Sequence, residues 1–167
     1  MTETKNENSI TSYLSFRLGD EIFATDVGKV LEILELSTIT RVPKAPDYMR
    51  GVINLRGKVL PVLDTRVKFG LEVTDDNVDT CIVVLDVIMD GDTLHLGALV
   101  DSVEEVLKLS AGDIEPPPSL GNRFNAEYLK GMVKQNDTFI MILDADRVFN
   151  SSELIMAKES SDNIVSA

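Results

Sequence analysis

The sequence is short of the residues that most catalytic and metal sites require. Its 167 residues include one cysteine, one histidine and no tryptophan. A zinc site needs more nitrogen and sulfur ligands than His95 and Cys81 supply, and an internal disulfide needs a second cysteine. Neither a phosphate-binding P-loop nor a dinucleotide-binding glycine pattern occurs. We therefore expect no metal, no cofactor and no enzymatic activity.

Long apolar runs and an excess of positive charge are also missing. No apolar run exceeds five residues, as in residues 81–85, which is too short to cross a bilayer. Residues 1–8 contain no apolar segment typical of a secretion signal, so we expect a cytoplasmic protein. The formal net charge of −12 opposes binding to a phosphate backbone. An oligonucleotide-binding β-barrel stays as an alternative of a different class, although only 5% of the residues are aromatic.

What the sequence does contain is an internal repeat. Residues 27–34 match residues 100–107 at an offset of 73, and residues 48–53 match 128–133 at an offset of 80. Self-similarity on this scale indicates one structural unit built twice. Positions at which the copies agree are predicted to be scaffold, and positions at which they differ are candidates for function.

Alternating short strands joined by glycine turns predict a mainly β protein made of two small antiparallel barrels. The folded region is predicted at 11–156, with a first barrel at about 11–74, a second at about 79–150, and flexible tails at 1–10 and 157–167. Residues 81–85 are continuously apolar, which predicts a strand buried on both faces where the barrels meet.

Several local features are predicted between the strands. Asp64 and Asp144 occupy matched positions and are interpreted as helix N-caps, in preference to paired acid–base groups. Residues 47–50 are predicted to form one helical turn, and residues 103–109 a helical turn followed by a strand. A short C-terminal helix is predicted after Asn150 or Ser151.

One hairpin turn distinguishes the two copies. Arg56 and Gly57 stand in the first copy where Asn136 and Asp137 stand in the second. One interpretation is a tolerated turn, because glycine adopts positive φ at little cost. The other is that Arg56 reaches an acidic partner, and Glu32 is the internal candidate because a carboxylate holds an arginine in a defined bidentate fork.

Residues 51–64 (GVINLRGKVLPVLD), preceded by Arg41, Val42, Pro43 and Pro46, resemble the signature segment of the CheW family, the coupling proteins of bacterial chemotaxis. The resemblance extends over residues 14–153. It implies two five-stranded β-barrels around a shared hydrophobic core and no catalysis. It also implies a role in bridging the cytoplasmic tips of transmembrane chemoreceptors to the histidine kinase CheA, and hence recruitment to membrane-associated receptor arrays.

The resemblance also implies two kinds of binding residue. The receptor tip is expected in a groove between the barrels, with Thr80, Ile82 and Gly97 nearer the second barrel. The full set of expected receptor-binding residues is Val30, Glu32, Ile33, Gly51, Arg56, Thr80, Ile82 and Gly97. Kinase contacts are expected at Ile39 and Val42 on one barrel end and at Leu120 on the other. For Val30, Ile33 and Ile82, packing in the core is an open alternative.

A close alternative is the CheW-like module of a CheV-type coupling protein or of the kinase itself. The sequence has no receiver segment and no phosphotransfer segment, so a stand-alone adaptor is expected.

Overall fold

The computed structural model describes residues 9–73, 75–89, 91–116 and 128–149. These residues form ten strands and two short helices. The strands are β1 (Ile10–Leu18), β2 (Glu21–Asp26), β3 (Val30–Glu35), β4 (Met49–Leu55), β5 (Lys58–Asp64), β6 (Cys81–Met89), β7 (Asp92–Val100), β8 (Ser102–Ser110), β9 (Leu129–Gln135) and β10 (Thr138–Leu143). The helices are α1 (Thr65–Lys68) and α2 (Ala145–Val148). Each has four residues, and no helix of the described residues is long and apolar enough to span a membrane.

The predicted caps are confirmed. The Asp64 carboxylate accepts a hydrogen bond from the Arg66 backbone N–H at the start of α1, and Asp144 does the same for Asp146 at the start of α2. Asp26 caps a 3₁₀ turn, Val27–Lys29, by accepting from the Gly28 N–H. The predicted C-terminal helix lies outside the described residues.

Three local predictions differ from the structure. The turn predicted at residues 47–50 is shorter, because the Met49 N–H donates to the Pro46 carbonyl oxygen at 2.9 Å and β4 already begins at Met49, which pairs with Leu63. No helical turn precedes the second-copy strand, because β8 pairs with β1 from its first residue, and a 3₁₀ turn, Ala111–Asp113, follows it instead. Ile10, which was predicted to lie in the N-terminal tail, instead starts β1 and pairs with Ser110.

The strands form two five-stranded sheets, in the orders β8-β1-β2-β10-β9 and β3-β6-β7-β5-β4. We call them sheet A and sheet B. Each contains strands of both sequence copies, because the first hairpin of each copy is exchanged: β1–β2 joins the second-copy strands, and β6–β7 joins the first-copy strands. The predicted division into barrels at about 11–74 and 79–150 is therefore wrong, although two five-stranded units are confirmed.

Each exchanged hairpin joins its new sheet through one parallel pair, β2 with β10 and β7 with β5. The remaining pairs are antiparallel, as predicted. In each sheet, the segment after one edge strand forms a single bridge to the other edge strand, Thr40 to Val52 of β4 in sheet B and Glu115 to Met132 of β9 in sheet A. Thr40 and Val52 exchange two backbone hydrogen bonds of 2.9 and 2.8 Å. Each sheet thus curls into an incomplete barrel.

Three apolar clusters fill the molecule. One cluster lies inside each curled sheet, around Ile140 in sheet A and Val62 in sheet B. The third combines residues of both sheets, such as Phe23 and Val83, and is the predicted shared core. Strand β6 serves two of these clusters, with Ile82 facing the interior of sheet B and Val83 facing the shared core. The prediction of a strand buried on both faces is confirmed.

Candidate functional site

The turn between β4 and β5 is held to strand β3 by an ion pair. The Arg56 guanidinium donates two hydrogen bonds to the Glu32 carboxylate, Nη1 to Oε2 at 2.6 Å and Nη2 to Oε1 at 2.8 Å. The Arg56 side chain is 70% exposed and that of Glu32 is 28% exposed. The predicted contact is confirmed, and its two-bond geometry presents a fixed positive group at the surface.

The backbone of this turn is unusual for an arginine. Arg56 has φ of 52° and Gly57 has φ of 85°, the signs of a type I′ hairpin turn, which favours Asn-Gly. The Gly57 N–H donates to the Asn54 side-chain oxygen at 2.9 Å, which stabilises the turn. The β4–β5 turn therefore holds an arginine where asparagine is preferred, and the contact with Glu32 accounts for it.

The second copy has the same turn without the cation. Asn136 and Asp137 have φ of 51° and 65°, which reproduces the geometry of the first turn. Glu105 corresponds to Glu32 at the repeat offset, so the carboxylate is present in both copies. Only the first copy pairs it with an arginine. The alternative of a merely tolerated turn explains the backbone but not this pairing.

The Arg56 hydrogen bond lowers the pKa of the Glu32 carboxyl group, against a smaller opposing effect of partial burial. A lowered pKa in the folded state means that the pair is complete above the ordinary glutamate pKa and is lost as the pH falls through the lowered value. We expect a carboxyl-detected NMR titration of Glu32 to give a midpoint below that of an ordinary glutamate. In Arg56→Gln the midpoint should return to the ordinary range, and an unchanged midpoint would contradict the paired geometry.

Strand β3 has two different faces and lies at the edge of sheet B. Val30, Glu32 and Leu34 are partly buried, whereas Leu31 and Ile33 on the other face are 48% and 46% exposed. Ile33 is thus a surface residue, and the core alternative is wrong for it. Leu31 was not among the predicted site residues. The segment VLEILE has apolar residues on both faces of the strand, and this pattern indicates that one apolar face is left exposed. We call residues 31–33 together with Arg56 the β3 edge.

Four other predicted receptor-binding residues are not at the surface. Gly51, Thr80, Ile82 and Gly97 are buried, so none offers a side chain to a partner. Ile82 pairs with Leu34 of β3, and a Cβ at Gly97 would lie 2.6 Å from Ile82 Cγ2. Ile82 packs in the core of sheet B, as its alternative stated, and Val30 packs partly against the shared core.

Strands β6 and β7 place Ile82 and Gly97 in sheet B, beside Val30 and Glu32. The expectation that they lie nearer the second barrel is therefore wrong. The hairpin exchange is the reason, since it carries second-copy residues into the sheet that holds the first-copy strand β3.

The predicted kinase-binding residues lie after β3. Ile39 is partly buried against the cluster inside sheet B, and Val42 lines an open cavity of about 420 Å³. The cavity is bordered by Arg41, Val42, Pro43, Lys44, Ala45, Pro46, Asp47, Met49, Arg50 and Asp64. Leu120 lies outside the described residues.

Across the described ranges, no cluster of three or more His, Cys, Asp or Glu side chains is arranged to hold a metal ion.

A buried cluster of three charged side chains, Arg66, Asp64 and Asp101, connects the two sheets. Arg66 of α1 is fully buried and donates to both oxygens of Asp64 and to Asp101 Oδ1 at 2.7 Å. Asp101 Oδ2 accepts from the Gly19 N–H in the β1–β2 turn at 2.6 Å. Burial alone would lower the pKa of Arg66, but hydrogen bonds and charges from Asp64 and Asp101 outweigh it and raise the pKa. The arginine is therefore permanently charged.

The comparison with known proteins agrees with these features. The family model for the CheW-like domain matches residues 12–153. The chain belongs to the CheW family. The chemotaxis protein CheW of Klebsiella aerogenes is 33% identical over 144 residues, covering 86% of this chain and 84% of that protein. The Rhizobium meliloti CheW is 34% identical over 140 residues, covering 84% and 88%.

A solved CheW structure has the same fold. The crystal structure of the scaffolding protein CheW from Thermoanaerobacter tengcongensis matches with a TM-score of 0.77 and 27% identity. The match covers 92% of this chain and 96% of that one. The CheW fold thus accounts for both sheets.

Proposed function

We propose that this protein is a non-catalytic chemotaxis adaptor that couples the cytoplasmic tips of methyl-accepting chemoreceptors to the histidine kinase CheA. Membership of the CheW family supports this role. The observation that carries the assignment to a surface is the Arg56–Glu32 pair, which occurs in one copy of a repeated unit and not in the other. The adaptor reaches the membrane-associated receptor array through its partners.

The β3 edge is the proposed contact for the receptor tip, a helical hairpin. A helix docking on a surface takes most of its binding energy from a few apolar anchors, whereas charges at the rim mainly set orientation. Leu31 and Ile33 are exposed apolar residues on one face of β3, and Arg56 is the charge held by Glu32 on the other face of the same strand. In this proposal Val30, Gly51, Thr80, Ile82 and Gly97 do not touch the receptor. Val30 belongs to β3, and Ile82 pairs with Leu34 of that strand.

The kinase is proposed to bind at a separate surface through its CheW-like regulatory domain. Val42 borders the open cavity after β3, and Ile39 supports the same segment from the interior. Leu120 is proposed for a second kinase surface. Two different surfaces would allow CheW and kinase domains to alternate in closed rings, as heterologous interfaces permit.

A pull-down from native cytoplasm tests the class of function. We expect the tagged protein to recover a histidine kinase and chemoreceptors together, and recovery of nucleic acid instead would favour the oligonucleotide-binding alternative. Catalytic turnover by the purified protein, with no kinase or receptor added, would overturn the adaptor assignment.

Replacing Arg56 with glutamate should weaken receptor coupling about tenfold, since the change places two carboxylates against each other and removes an oriented surface charge. Co-sedimentation with receptor-containing membranes measures the effect. The matched control is Asn136→Glu, which introduces the same side chain into the equivalent turn of the second copy. Equal losses in both variants, or none in Arg56→Glu, would show that the β3 edge is not the receptor surface.

A further inference from the structure

The chain crosses between the two sheets at two related places. The 3₁₀ turn Val27–Lys29 carries the chain from β2 in sheet A to β3 in sheet B. Asp101 carries it back from β7 in sheet B to β8 in sheet A. At the repeat offset Asp101 corresponds to Gly28, so the two crossings occupy equivalent positions in the two copies.

Each crossing is tied to a short helix by an ion pair. Lys29 Nζ donates to Asp146 Oδ1 at 3.0 Å and to Oδ2 at 2.9 Å, and Asp146 belongs to α2. At the other crossing, Asp101 is bound by Arg66 of α1. Arg66 and Asp146 correspond at the repeat offset of 80, whereas Lys29 is the residue after Gly28, the counterpart of Asp101. The two pairs therefore join the same helix position to neighbouring positions of the crossing, with opposite signs.

Each carboxylate also accepts a backbone hydrogen bond from an exchanged hairpin. Asp146 Oδ1 accepts from the Ile88 N–H of β6 at 2.8 Å, and Asp101 Oδ2 accepts from the Gly19 N–H between β1 and β2. Asp146 therefore joins the crossing before β3 to the strand that pairs with β3, since Val30 pairs with Leu85 of β6.

The reversed signs are specific for the exchanged arrangement. If each copy folded on its own strands, the crossing with Lys29 would face Arg66 and the crossing with Asp101 would face Asp146. Both contacts would then join like charges, which repel each other. The charges at these four positions favour the observed topology over its closest competitor.

The two ion pairs differ in burial. Arg66 is completely buried and Asp101 is 16% exposed, whereas Lys29 and Asp146 are 26% and 33% exposed. The Lys29–Asp146 pair also lies directly before the β3 edge, since Val30 follows Lys29 in sequence. It is the pair whose removal can alter the position of β3 without leaving a fully buried charge unpaired.

We propose that the Lys29–Asp146 ion pair is a positioning element for receptor coupling, holding β3 in place relative to sheet A. The pair acts through β3 and does not itself contact the receptor. This inference rests on the proposed function of the β3 edge. It assigns a role to two residues outside the expected receptor-binding set.

The test is a double-mutant cycle with Lys29→Met, Asp146→Asn and the combined variant. Asparagine keeps an oxygen for the Ile88 N–H while removing the charge. We expect each single variant to lose receptor co-sedimentation about threefold, because half-exposed pairs contribute modestly. The combined variant should lose no more than either single variant, as expected for two groups that act as one unit. Lys29→Arg should retain coupling.

The control pair is Arg17 and Glu104, which is similarly exposed on sheet A, with Arg17→Met and Glu104→Gln expected to couple normally. Binding to the kinase regulatory domain and the thermal midpoint should stay unchanged in all variants. If kinase binding, receptor binding and thermal stability all decreased together, the pair would be a general stabilising contact and the positioning role would be wrong. Loss in Lys29→Met alone would mean that Lys29 touches the receptor directly, and no loss in any variant would also overturn the proposal.

Amide hydrogen exchange of the purified protein separates this inference from the proposed function. Lys29→Met and Asp146→Asn should accelerate exchange at β3 amides and leave those of β9 unchanged. If the wild-type protein fails to bind receptors but β3 exchange responds, the function is wrong and the positioning of β3 stands. If receptors bind and β3 exchange does not respond, the positioning element is wrong.

Discussion

Replacing Arg66 with methionine should lower the free energy of unfolding by about 3–5 kcal/mol, the range for removing one partner of a buried ion pair. The guanidinium is fully buried, and the side chains of Asp64 and Asp101 are 5% and 16% exposed. Methionine fills similar space but leaves Asp101 without its arginine and leaves Asp64 with only the more distant Arg50, whose Nη1 lies 3.7 Å from Asp64 Oδ2. The cost comes from those stranded charges more than from the lost attraction itself.

Denaturant unfolding measures this change, with Arg147→Met as the matched control. Arg147 lies three residues after Asp144 and Arg66 lies two residues after Asp64, but the Arg147 side chain is 65% exposed and lies 3.6 Å from the carboxylate. We expect the control to change the unfolding free energy by no more than about 0.5 kcal/mol. Comparable losses in the two variants would mean that burial does not determine the importance of the pair.

Replacing Gly51 with alanine should cost about 2–4 kcal/mol, because the new methyl group has no room and the backbone conformation disfavours it. Gly51 has φ of 151°, and a Cβ there would lie only 2.2 Å from the Thr40 carbonyl oxygen. That oxygen belongs to the bridge linking the edges of sheet B, so the clash cannot be relieved by rotating a side chain.

Gly131 offers an independent replicate of this prediction. It holds the equivalent place in sheet A, where a Cβ would lie 2.3 Å from the Glu115 carbonyl oxygen. Gly131→Ala should therefore carry the steric part of the Gly51→Ala cost, since Gly131 has no positive φ. Gly112→Ala should be tolerated because the nearest atom is 3.9 Å from its Cβ position. Thermal unfolding reports all three, and a Gly51→Ala midpoint equal to that of Gly112→Ala would contradict the steric argument.

Local chemistry was sufficient to predict much of the fold. The β1–β2 and β4–β5 hairpins follow from alternation and glycine turns, and the Asp64 and Asp144 caps follow from side-chain hydrogen bonding to the next turn. The hairpin exchange could not be predicted in this way. Both copies carry similar first hairpins, so either one satisfies the apolar pattern of either sheet, and the choice depends on contacts between residues far apart in sequence.

The candidate site could likewise be predicted only in part from the sequence. The contact between Arg56 and Glu32 was predictable because an arginine stands in a hairpin turn whose counterpart holds Asn136, and Glu32 offers the opposite charge. The placement of Ile82 and Gly97 was not, because it depends on which sheet receives β6 and β7. The Lys29–Asp146 contact joins residues 117 positions apart, and no local pattern marks it.

The exchanged hairpins also bear on how the two copies came to differ. A single copy would expose the strand edges that its missing hairpin should cover, so two separate copies would form a dimer by trading hairpins. In such a dimer every substitution appears on both sides of the symmetry axis. Joining the copies in one chain removes that constraint. An arginine can then stand at position 56 while asparagine stands at 136, so two equivalent turns of one fold can present different charges.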